Sequence, residues 1–146
     1  LINRMLITEN QLRQTIRRML DGRNSHKIEI YVNSQPLYVE VADTDVSRDV
    51  GLMNRADLKR NEGMLFIFPD SSRRAFWMKN TYIPLSIAYL NESGEILNIE
   101  KMSPQSDERV WSSGPAMYAL EVNDGWFDSN KISIGDIVRG LPTISK

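Results

Sequence analysis

The chain has 146 residues, a formal net charge of −1, 41% hydrophobic and 25% charged residues, the size and balance of one globular domain that can bury its own core. It has no cysteine and a single histidine, His26, which excludes disulfides, thiolate zinc sites, iron–sulfur clusters, cysteine nucleophiles and a His-Glu-x-x-His motif. No apolar run nears the roughly 20 residues of a membrane-spanning helix, no acidic loop has calcium-site spacing, and these residues show no secretory-signal pattern.

From the N-terminus, residues 8–21 have the pattern of an amphipathic helix. Thr8 stands at an N-cap with Gln11 three positions on, the two halves of a capping box, and Ile7 and Leu12 hold the hydrophobic-staple positions. Leu12, Ile16, Met19 and Leu20 recur at helical spacing, and Gly22 follows as a stop. A helix of about twelve residues is marginal alone in water, so this one needs a surface: its own body, a second chain or a lipid surface. Charge sets it apart as well. Residues 1–27 carry six basic and two acidic residues, the rest of the chain twelve and seventeen. Residues 1–26 therefore read as a basic helix and linker that dock, ahead of a single β-rich domain at 27–146.

The pattern then changes to alternation. Residues 28–32 and 37–41 form a hairpin around Asn33-Ser34-Gln35-Pro36. Thr44 or Asp43 caps a short helix running to about Leu52, with Arg48 and Arg55 in or near it. Met64–Phe68 is a continuous apolar strand stopped by Pro69-Asp70, and Arg74–Lys79 is a further strand. A second hairpin joins 85–90 to 95–100 through Asn91-Glu92-Ser93-Gly94. Residues 103–115 read as a polar loop containing Trp111, 117–122 as a strand, and Asn123-Asp124-Gly125 as the start of a turn or short helix carrying Trp126 and Phe127. Residues 135–138 close the sheet. The expected fold is α+β, mainly β: a curled antiparallel sheet or small β-barrel with two or three short helices, plus the N-terminal amphipathic helix.

The sharpest chemical feature is Phe76-Trp77-Met78-Lys79-Asn80-Thr81. Strand alternation puts Trp77, Lys79 and Thr81 on one face and Phe76, Met78 and Asn80 on the other. Trp77 offers a flat wall, Lys79 a cation and Asn80 a donor and acceptor, and polar groups in so apolar a run need partners. The same three residues also have structural uses, as core filler, snorkelling cation and turn tie. Asp43 and Glu121, acids beside apolar strands, are candidate neighbours of Lys79 or Arg48. The scattered glycines form no phosphate loop and Ser112-Ser113-Gly114 no nucleophile elbow, so no cofactor or metal is expected. An acidic body without RNA-reading aromatics makes nucleic acid an unexpected partner.

Several fragments taken together resemble a known family. Val39-Glu40-Val41-Ala42-Asp43-Thr44, Gly51-Leu52-Met53, Glu62-Gly63-Met64-Leu65-Phe66, Phe76-Trp77-Met78-Lys79-Asn80-Thr81, Ile83-Pro84-Leu85, Tyr118-Ala119-Leu120-Glu121, Gly125-Trp126 and Ile134-Gly135-Asp136 occur in that order. The set is similar to prokaryotic domain-of-unknown-function family 192, over about residues 28–140. The resemblance implies a compact β-rich domain, often exported in relatives, and no established activity. One departure stands out: the family's Pro-Leu-Asp-Ile run is Pro84-Leu85-Ser86-Ile87 here, and serine cannot replace the carboxylate's charge.

The leading expectation is a non-enzymatic binding or accessory module for a small molecule or protein. Its polar and aromatic groove would use Trp77, Lys79 and Asn80, with Asp43, Arg48 and Glu121 nearby. One alternative is a hydrolase or lyase using Lys79 and a carboxylate. The other is a structural or assembly protein, viral in type, docked by its N-terminal helix.

Overall fold

The alternation at 28–41 becomes the first hairpin of the structure, a computed structural model that describes residues 27–142 together with Thr8 and Arg13. The helix expected at 8–21 otherwise lies outside the described residues. β1 (Lys27–Val32) and β2 (Gln35–Ala42) pair antiparallel, Ile30 opposite Leu37. Asn33 and Ser34 alone make the reversal, with Asn33 at φ +55°, a conformation its short polar side chain tolerates. Thr44 caps α1 (Asp45–Val50): its hydroxyl accepts the Ser47 N–H at 3.1 Å, and the Ser47 hydroxyl accepts the Thr44 N–H at 3.0 Å.

The link through α1 is long enough to return the chain to the same end of the sheet. β3 (Glu62–Ser72) therefore lies parallel to β2, Val39 beside Gly63 and Ala42 beside Phe66. This corrects the expectation of a wholly antiparallel sheet. β3 also runs past Pro69. Its register against the neighbouring strand shifts between Ile67 and Ser72, so the missing proline N–H falls where no ladder bond is due.

Next in the chain come β4 (Ala75–Phe76), β5 (Leu85–Leu90), β6 (Ile96–Met102), β7 (Val110–Trp111), β8 (Ala116–Asn123), α2 (Trp126–Ser129) and β9 (Val138–Arg139). Seven strands form one mixed sheet in the order β6-β5-β8-β3-β2-β1-β9. It curls into a half-barrel. Glu95 bridges Ile137, the Ile96 N–H donates to the Asp136 carbonyl at 2.9 Å, and the Val138 N–H to the Gly94 carbonyl at 2.9 Å, so the sheet's two outer edges meet. Within residues 27–142 the helices are only these two short ones.

Both faces of the central strands are covered, which is why β3 and β5 read as unbroken apolar runs. On the concave side Leu65, Leu120, Val122, Ala88 and Leu90 pack with Trp126 and Phe127 of α2. On the convex side Met64, Phe66, Ala119, Ile87 and Tyr89 pack under Leu52, Phe76 and Met78. β4 and β7 form a separate two-stranded ribbon laid over this convex layer, Ala75 opposite Trp111 and Phe76 opposite Val110. The strand expected over Arg74–Lys79 is thus only two residues long, and the loop expected at 103–115 contains a strand.

Candidate functional site

The ribbon is fixed from below. Phe76 is fully buried, and the Tyr89 hydroxyl donates to the Val110 carbonyl at 2.5 Å. The Ser112 N–H donates to the Arg74 carbonyl at 2.8 Å and the Arg74 N–H to the Ser112 hydroxyl at 2.9 Å. Asn98 Nδ2 donates to the Trp111 carbonyl at 3.0 Å, tying the ribbon to β6. Phe76 and Val110 thus face the core, and on β7 alternation turns Arg109 and Trp111 outward, whereas Ala75 of β4 is buried like Phe76.

That outer face gathers cations and indoles. The register that opposes Phe76 to Val110 brings Trp77 to Arg109. The Arg109 guanidinium lies 5.7 Å and the Lys79 ammonium 5.6 Å from the Trp77 ring centroid, and the Arg73 guanidinium lies 5.0 Å from that of Trp111. Among the described residues no carboxylate comes within 4.0 Å of Arg73, Lys79 or Arg109. The Trp77 indole N–H is buried and has no hydrogen-bond partner among them. Trp77 and Lys79 are therefore together as the sequence suggested, but not by strand alternation. The chain leaves β4 after Phe76 and turns, the Thr81 N–H donating to the Met78 carbonyl at 3.0 Å with Asn80 at φ +56°.

The other four sequence candidates lie elsewhere. Asn80 is the left-handed residue of that turn, and its carbonyl accepts the Asn54 N–H at 2.9 Å. Asp43 is exposed just before the α1 cap. Arg48 is buried: it donates to the Ile67 carbonyl at 2.7 Å, pairs with Asp45 at 2.7 Å and lies 5.3 Å from the Phe68 centroid. Glu121 is wholly buried in mid-β8, opposite Met64 and Ile87. Arg109, Arg73 and Trp111 complete the ribbon face. Arg109 and Trp111 flank Val110 at strand spacing, a signal of only three residues.

Arg74 differs from Arg73. It stacks on Phe68 at 4.0 Å, and Asp70 holds it through a 2.5 Å ion pair and its own main-chain carbonyl. The Arg74 hydrogen bond, then its charge, lowers the Asp70 pKa below the ordinary carboxylate value. A depressed folded pKa means this contribution to stability is present above the unfolded pKa and lost as pH falls through the folded one. Titration of the Asp70 carboxyl by NMR is expected to give a midpoint below that of a free aspartate, and Arg74→Met should return it to normal. An unshifted wild-type midpoint would refute the pairing.

With this geometry in view, the relatives can be placed. The model of an uncharacterised conserved family, domain-of-unknown-function family 192, matches residues 28–140. The chain belongs to this family. No curated protein is significantly similar to it. Among solved structures, a protein from Sinorhizobium meliloti 1021 named as a candidate transcription regulator is 33% identical, with a TM-score of 0.73, over 77% of this chain and 91% of its own. A protein of unknown function from Novosphingobium aromaticivorans DSM 12444 is 30% identical, with a TM-score of 0.71, over 77% and 83%.

Ser86, which interrupts the resemblance noted in the sequence, falls on the concave face. Ser86 is only 7% exposed and stands opposite Val122 and Lys101. Its hydroxyl lies 3.4 Å from Asp124 Oδ1, while Lys101 Nζ lies 3.4 Å from Asp124 Oδ2. A carboxylate therefore stands beside position 86, supplied from the end of β8. An aspartate at 86 would meet Asp124 as a like charge, whereas serine can donate to it. The three residues line a cleft of about 780 Å³ with Gly125, Ser133 and the exposed Ile134.

Proposed function

We propose that this domain is a non-enzymatic binding module that takes an anionic ligand on the ribbon formed by β4 and β7. The observation that carries this reading is the pair of cations on Trp77: Lys79 and Arg109, both without a carboxylate partner among the described residues. Magnitudes favour an exchange. A cation resting on an indole at an exposed site gains about 0.5–1 kcal/mol, whereas a hydrogen bond to a charged group gains about 1.5–3 kcal/mol. An oxyanion that engages both side chains at once therefore gains more from them than the ring does, and both are needed to offset the cost of association. Arg48 and Arg74, by contrast, already hold Asp45 and Asp70, and their role is to brace the layer beneath. The hydrolase or lyase alternative needs Lys79 and a carboxylate at one open cavity, and Lys79 is not among the residues lining the large cleft.

The test is a titration of the full chain with inorganic pyrophosphate, read by indole fluorescence. A saturable change that weakens with salt is expected. The double variant Lys79→Gln, Arg109→Gln should lower affinity by at least about tenfold with the thermal midpoint unchanged. Absence of a saturable change in the wild type, or full affinity in the double variant, would overturn the reading.

A further inference from the structure

We infer that the ligand of the ribbon is a nucleoside phosphate, with its ring on Trp111 and its phosphate at Lys79 and Arg109. This rests on the reading of the ribbon as an anion site and adds a second, aromatic half to it. Arg109 rests on the Trp77 ring and stands two residues before Trp111 in the chain, so the second indole lies next to a cation of the anion site. That proximity suits one compact molecule that carries a ring at one end and a charge at the other.

The two ends of the ribbon are not equivalent. Trp77 has two cations on it and a buried N–H without a partner among the described residues. A buried donor of this kind is costly until an acceptor reaches it. Trp111 has the single guanidinium of Arg73 on it and remains 45% exposed. An indole face and a guanidinium plane are the surfaces on which nucleobases stack. The donors therefore mark the phosphate end and the open indole the base end.

Charge decides between a compact ligand and a polymer. Beyond residue 27 the chain carries seventeen acidic residues against twelve basic ones. A long polyanion running off the ribbon would lie against a net negative body, while a mononucleotide meets only the local cations. The expectation against nucleic acid as a partner therefore does not extend to single nucleotides.

The experiment compares ADP, inorganic pyrophosphate and adenosine on the full chain by calorimetry. ADP is expected to bind about tenfold more tightly than pyrophosphate, and adenosine more weakly than either. Trp111→Ala should remove the ADP advantage and leave pyrophosphate affinity unchanged. Arg73→Gln, which keeps the indole, should remove part of it. Equal affinities for ADP and pyrophosphate, both lowered by Lys79→Gln, would overturn the nucleoside assignment while the anion site stands. A single-stranded oligonucleotide binding more tightly than ADP would overturn the compact ligand. No binding of any anion would overturn both readings.

Discussion

Phe76→Ala is expected to lower the unfolding free energy by about 3–5 kcal/mol, the range for truncating a fully buried aromatic. Phe76 has no exposed surface, and the ring of Phe66 meets it edge to face at 4.8 Å, that of Tyr89 at 5.8 Å and that of Phe68 at 6.3 Å. Each such pair adds about 0.5–1.5 kcal/mol beyond the area buried. Relaxation cannot easily refill the space, because Phe66 and Tyr89 belong to central strands of the sheet. Denaturant unfolding followed by far-ultraviolet circular dichroism measures the loss, with an unchanged denaturant slope as the sign that stability alone has moved. Because Phe76 also anchors the ribbon, pyrophosphate binding should weaken in the same variant. A loss below about 1 kcal/mol would show that the ribbon is not docked on the convex layer.

Gly63→Ala is expected to be nearly as damaging, at about 3 kcal/mol, the upper end of the overpacking range. Gly63 sits between two strands, beside Val39 in β2 and opposite Val122 in β8. A methyl group there would stand 2.5 Å from the Glu121 carbonyl oxygen and 3.2 Å from a Val122 methyl. The first of these is main chain in the middle of the sheet, so it moves only if the ladder moves. Gly114→Ala is the control: nothing lies within 4 Å of the added carbon, and its effect should stay within about 0.5 kcal/mol. Thermal and chemical unfolding of the two variants side by side would settle the comparison, and a Gly63→Ala protein as stable as the control would contradict this packing.

These expectations show what local sequence could and could not convey. The hairpins and the α1 cap were readable because their causes are local: alternation at 28–32 and 37–41, turn residues at Asn33-Ser34-Gln35-Pro36, and Thr44 or Asp43 ahead of the helix. The parallel pairing of β2 with β3 was not, since alternation says nothing about direction. The strand beyond Pro69 was hidden because proline is tolerated only where the register slips, and the slip shows only in the pairing with β8: four β3 residues between Ile67 and Ser72 stand against one between Ala116 and Tyr118. The ribbon was harder still. A two-residue strand has no periodicity, and its bonds run to Tyr89, Asn98 and Ser112. Of the candidate site, Trp77 and Lys79 were recognisable as chemistry, yet the reason they meet lies in the turn at Asn80. That turn is held in part by Asn54, while the Gln105 N–H reaches the Thr81 carbonyl at 2.9 Å. Glu121 was read as an edge acid and is an interior one, because its neighbours Met64 and Ile87 come from distant segments.

The meeting of the sheet's two edges has a mechanical consequence. The segment that bridges Glu95 also carries Ser133 and Ile134, one lip of the concave cleft. It is fastened by short main-chain contacts instead of a long ladder, so it belongs to the part of the molecule that opens at the least free energy. The barrel wall is thus a clasp whose loose side faces the mouth.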